Sequence, residues 1–121
     1  MAKEFLEITR VHDEDPEHIV IKVNKQCNLV NFALFDFTLA DEKHPRGKVK
    51  NSYFFQNQLV KPGDFVVLNT GEGVDKKSAN RKKPGNYFYF FYWGLGFKMW
   101  SDSGDHCRLV RYSWEHDSQI V

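Results

Sequence analysis

The residue types able to do chemistry are scattered along the chain. Histidines stand at His12, His18, His44, His106 and His116, and none belongs to a His-Glu-x-x-His pair. There is no Gly-x-Ser-x-Gly elbow and no Gly-x-x-x-x-Gly-Lys phosphate cradle. A triad built from distant residues stays open, because such sites are recognised by geometry and not by order. Isolated histidines otherwise read as surface or strand-edge residues. The expectation is a protein that is not an enzyme. Asp13, Asp15 and Glu17, or Asp102 and Asp105, offer oxygen ligands, yet neither group follows the twelve-residue calcium loop. Cys27 and Cys107 have no Cys or His two to four residues away, so neither starts a zinc site. Both read as free thiols, a disulfide between them being the alternative. No metal and no cofactor are expected.

Two stretches carry binding chemistry instead. Between Gly71 and Gly85 the cations Lys76, Lys77, Arg81, Lys82 and Lys83 face only Glu72 and Asp75, a local charge of +3. Flexible cations of this kind hold phosphate or an acidic partner weakly, with dissociation constants of order 10⁻⁴–10⁻⁶ M for nucleic acid; the bland alternative is a solvated loop. The second stretch is Tyr87-Phe88-Tyr89-Phe90-Phe91-Tyr92-Trp93. In a strand, Tyr87, Tyr89, Phe91 and Trp93 share one face, and Phe88, Phe90 and Tyr92 share the other. A sandwich buries one face of such a strand. With Trp93 pointing inward, Phe88, Phe90 and Tyr92 form a partner or self-association surface, unless a loop such as 71–85 covers them. A register slip near Gly85-Asn86 would reverse the faces.

The elements that must hold these residues are short strands. Alternation or aromatic and β-branched content predicts strands over 3–12, 18–24, 29–39, 49–55, 65–69, 86–93, 106–112 and 118–121. Acidic residues and Pro16 break the chain at 12–17, and turns fall at 24–28 and at Pro62-Gly63. Loops fall at 40–47 and 71–85, the latter polar enough to be the disordered part. A Ser101–Asp105 turn and a Glu115–Asp117 turn precede the last two strands. No segment has a convincing 3.6-residue period. Eight or nine short, mainly antiparallel strands make an all-β sandwich or barrel. Its core closes around Trp93, Trp100 and Leu109, since an indole buries on the order of 150–250 Å².

The totals agree with one soluble domain over residues 1–121. Aromatic residues make up 16% of the chain, and the net charge of +1 gives no global field to attract nucleic acid or a membrane. The N-terminus lacks an apolar signal region and the longest apolar run, Tyr87 to Trp93, is seven residues, far too short to span a membrane. A cytoplasmic protein is expected, or a secreted one if the chain is a fragment.

Several stretches fall in a familiar order. They are Ile19-Val20-Ile21-Lys22-Val23-Asn24, Leu29 and Phe32 with Leu34-Phe35-Asp36, and Leu59-Val60-Lys61-Pro62-Gly63-Asp64-Phe65-Val66-Val67-Leu68. Trp93-Gly94, Met99-Trp100, Ser103-Gly104-Asp105 and Leu109 close the series. From about residue 18 to the C-terminus the chain resembles the lamin-tail domains, in their bacterial stand-alone form. It departs from them at Asn31-Phe32, where the family has Gly-Trp, and it carries no coiled-coil rod. The resemblance implies an immunoglobulin-like β-sandwich that binds or targets and does not catalyse. The leading expectation is therefore a non-catalytic interaction module, meeting a protein partner or forming a homodimer through the aromatic strand. Nucleic-acid or polyanion binding through 76–83 is second and a hydrolase with an unrecognised site is third. No small-molecule substrate is indicated.

Overall fold

A computed structural model describes residues 2–38, 48–97, 99 and 106–112. Trp100, His44, His116, the expected loop 40–47, the turns Ser101–Asp105 and Glu115–Asp117 and the expected strand 118–121 lie outside the described residues.

The chain runs through a short helical turn, α1 (Ala2–Phe5), and strands β1 (Leu6–His12), β2 (His18–Val23) and β3 (Cys27–Asn28). It continues through β4 (Phe32–Thr38), β5 (Lys48–Phe54), β6 (Leu59–Val60), β7 (Phe65–Asn69), β8 (Lys76–Ala79), β9 (Tyr87–Tyr92) and β10 (His106–Arg111). A five-stranded sheet has the order β1-β2-β7-β9-β8, a three-stranded sheet the order β10-β4-β5, and β3 and β6 form a two-stranded ribbon. All described pairs are antiparallel except β7 with β9.

The sheets face each other because their strands alternate. Ile19, Ile21 and Val23 of β2, Val66 and Leu68 of β7, and Tyr89 and Phe91 of β9 are buried, while their neighbours along each strand are not. Phe32 and Leu34 of β4, with Phe55, close the core from the other side. Rings meet across the gap: Phe55 packs on Phe91 at 5.9 Å between centroids and Tyr53 on Trp93 at 5.6 Å. The fold is an all-β sandwich.

Four local differences from the sequence expectation have physical causes. Residues 2–5 turn helically rather than extending β1. The Phe5 carbonyl then accepts from the backbone N–H groups of Asn24 and Lys25, and the Phe5 ring reaches Phe32 at 6.3 Å. The expected strand 29–39 begins at Phe32, because Leu29–Asn31 forms a 3₁₀ turn capped by Asn28, whose Oδ1 accepts from Val30 N–H. A bulge between Ile8 and Arg10 shifts the β1 register inside the expected strand 3–12.

The largest difference concerns the basic segment, which is not a disordered loop. From β7 the chain steps out past one strand position, lays down β8, and returns by a hairpin so that β9 fills the gap. The hairpin turn is held by four hydrogen bonds. Asn80 N–H donates to Asn86 O, Lys83 N–H to Asn80 O, Asn86 N–H to Lys83 O, and Lys82 N–H to Asn80 Oδ1. Gly85 takes a φ of +89° to close it.

Candidate interaction surface

The outward face of the five-stranded sheet is set by register. Lys22, Phe65, Phe88 and Ser78 stand in one row; Arg10, Val20, Val67, Phe90 and Lys76 form the next. A third row holds His12, His18, Asn69 and Tyr92. Phe65 and Phe88 stack with centroids 5.6 Å apart and planes 19° apart, and Phe90 follows Phe88 at 6.3 Å. All three rings are partly exposed, on the side away from buried Tyr89 and Phe91. The expected division of faces therefore holds, and the register slip did not occur.

Tyr92 belongs to this face by register but not to its open part. A Cβ on Gly73 would come within 2.4 Å of the Tyr92 ring, so the segment after β7 lies directly against it. Segment 71–85 thus covers Tyr92, while its strand runs beside Phe88 and Phe90 instead of over them. Asp75 ties the two together, accepting from Tyr92 N–H at 3.1 Å and from the Gln56 amide at 2.7 Å.

The five cations do not form one patch. Lys76 lies on the outward side with its ammonium 5.4 Å from the Phe90 ring centroid. Lys77 lies on the inward side, 4.0 Å from the Tyr87 ring and 5.6 Å from that of Tyr89. Arg81, Lys82 and Lys83 are exposed on the hairpin turn. Their chain has poor strand propensity; pairing with β9 and the contacts of Lys76 and Lys77 with its rings hold it extended.

Trp93 and Leu109 pack partly buried against the core. Cys27 and Cys107 are free thiols. Burial pushes the Cys107 thiol up to about 11, with the Asp36 charge adding to the effect. Cys27 is also raised by burial, partly offset by Arg111. The histidines of β1 and β2 pair unexpectedly, with the His12 and His18 rings 4.8 Å apart.

Three features escaped the sequence. Phe65 is the third ring of the outward row, and the run Phe-Val-Val-Leu-Asn, apolar at four successive positions, does not mark which of its faces is outward. Asp64 is 1% exposed, and its carboxylate accepts from Lys61 N–H, the Asn86 amide and Tyr87 N–H. Glu17, 4% exposed, accepts from the Thr70 hydroxyl at 2.8 Å and Met99 N–H at 2.7 Å. The signals were a proline-glycine pair followed by Asp and a Pro-Glu before a strand, both of which also fit exposed turns.

Two concavities flank the sheet. One, of about 460 Å³, lies beside Glu17, Thr70, Tyr92, Leu95 and Phe97. The other, of about 280 Å³, is lined by Leu59, Val60, Lys61, Lys77, Tyr87 and Tyr89, with Gln26 and Asp64. Among the described residues no three His, Cys, Asp or Glu side chains are placed to hold a metal, and no helix is long and apolar enough to cross a membrane.

No family model matches the chain, and neither a curated protein nor a solved structure matches it.

Proposed function

We propose that the chain is a non-catalytic interaction module that meets a protein surface, in the first instance a second copy of itself, through the outward face of its five-stranded sheet. The observation that supports this is the Phe65–Phe88–Phe90 row, three partly exposed rings on the side of the sheet turned away from the core. Contiguous exposed apolar surface marks contacts, and aromatic residues are enriched where proteins meet. The same rows carry Lys22, Arg10 and Lys76 on strands to either side of the rings, a polar rim around an apolar centre. The resemblance to lamin-tail domains, which bind and do not catalyse, runs the same way.

Sedimentation velocity of the wild type and of the Phe88→Asp and Phe90→Asp variants tests it. The expected result is a concentration-dependent dimer that either substitution returns to monomer.

A second reading for Lys76, Lys77, Arg81, Lys82 and Lys83 is supported by the last three, which stand exposed together on the hairpin turn, with Lys76 and Lys77 on opposite sides of its strand. It is weak polyanion binding, and it requires an affinity for generic single-stranded DNA that falls steeply with salt.

A further inference from the structure

We infer that the outer edge of β8, together with the groove inside it, forms a second binding site, for an extended peptide in which apolar and acidic residues alternate. This site is separate from the aromatic face and goes beyond it.

The edge follows from the hydrogen-bond alternation. In the β8–β9 hairpin, Asn80 N–H donates to Asn86 O at 2.9 Å, so residue 80 faces β9. Antiparallel strands alternate between rungs that bond inward and rungs that point away. Residues 78 and 76 therefore also face β9, and on β9 the series 86, 88, 90 continues to Tyr92, whose N–H meets the Asp75 carboxylate. The backbone N–H and C=O groups of Lys77 and Ala79 point away from the sheet. Among the described residues β8 is the last strand of its sheet, and both residues are exposed. Such a rung can accept another strand.

Directly inside this edge lies the groove of about 280 Å³. Its walls are Leu59, which is 63% exposed, Val60, Tyr87 and Tyr89. A strand added to β8 sends alternate side chains to opposite sides of the sheet. Those on the inward side enter this groove, between its apolar walls and the ammonium groups of Lys61 and Lys77; those on the outward side stand beside Lys76.

Charge selects acidic residues on either side of the added strand. Lys61 and Lys77 lie at the groove, Lys76 on the far side of the strand, and Arg81, Lys82 and Lys83 follow at the hairpin tip. The carboxylate in the groove wall, Asp64, already accepts from three donors of the fold. Lys77 is held over the Tyr87 ring at 4.0 Å, which reduces the side-chain entropy lost on binding. Lysines on an edge strand repel basic strands and disfavour pairing with neutral ones, whose approach would desolvate the ammonium groups unpaired. They attract an acidic one.

The probe is a fluorescein-labelled octapeptide of alternating glutamate and valine, followed by fluorescence anisotropy. Alternating lysine and valine and a short oligo-dT serve as controls. The glutamate peptide should bind and both controls should bind at least about tenfold more weakly. Ala79→Pro removes the outward N–H without touching the β9 ladder, a position where a strand tolerates proline. It should lower the affinity about tenfold or more while the thermal midpoint holds. Lys77→Glu should do the same, and it decides the matter if Ala79→Pro fails to fold. Phe88→Asp, which disrupts the aromatic face, should leave peptide binding unchanged, so the two sites can fail separately. Absence of binding at millimolar peptide, equal binding of the lysine peptide or of oligo-dT, or full affinity in folded Ala79→Pro or Lys77→Glu protein would overturn the inference.

Discussion

The Asn86 side-chain amide donates to the buried carboxylate of Asp64 at 2.8 Å, joining the Pro62-Gly63 turn to the chain entering β9. The same oxygen accepts from Tyr87 N–H at 2.9 Å, and the other accepts from Lys61 N–H at 3.0 Å. One side chain thus closes a turn and fixes where the aromatic strand begins. That starting point decides which rings face the core and which face outward.

Removing that acceptor takes a partner from three donors, of which only the Asn86 amide keeps another, the Pro62 carbonyl. Asp64→Ala should therefore cost about 2–4 kcal/mol, read as a lower urea midpoint. Gly63→Ala should cost about 1–3 kcal/mol in the same assay. Gly63 has a φ of +94°, and an added Cβ would come within 2.8 Å of the Asn86 amide.

Thr70 and Glu17 make the corresponding link at the other end of β7. The Thr70 hydroxyl donates to Glu17 Oε1, and Thr70 N–H donates to the Glu17 carbonyl at 3.1 Å. Thr70→Val keeps the shape and the backbone bond but loses the hydroxyl. The expected loss is about 1.5–3 kcal/mol, the range for a hydrogen bond to a carboxylate, measurable by thermal or urea unfolding.

Stability should fall in alkali. Below pH 9 the Cys107 thiol keeps its proton in both the folded and the unfolded chain. Its folded value is about 11 against an ordinary 9.0, so between these the unfolded chain releases its proton first. Stability is lost as pH rises through that window. Tyr53, pushed up to about 12 from 10.0 by burial and then by the Asp75 charge, extends the decline upward. Thermal midpoints should drop steadily from pH 9 to pH 11, and Cys107→Ala should flatten the first part of the drop. At pH 8 alkylation of native Cys107 should be slower than that of the unfolded chain.

The sandwich was legible because its central strands alternate cleanly. Ile19, Ile21 and Val23, and the two faces of Tyr87–Tyr92, declare their sides in the residue types alone. β8 was illegible for the opposite reason. Lys-Lys-Ser-Ala has no apolar alternation, and it becomes a strand only because β9 offers a ladder and rings for the lysine stems. The outward rings Phe88 and Phe90 could be read from period two, whereas Phe65 could not, since Val66 and Leu68 made its whole segment look buried. Asp64 and Glu17 sit beside prolines, where acids are ordinary turn formers. Their burial depends on donors more than twenty residues away, from Asn86 and Thr70, which no local pattern reveals.

Sedimentation velocity of the wild-type chain beside Phe88→Asp tests the proposed contact face most directly. A dimer that grows with concentration and disappears in the variant, with the thermal midpoint nearly held, is the predicted outcome. A wild type that stays monomeric at every concentration, or a Phe88→Asp protein that dimerises as the wild type does, would contradict self-association through this face.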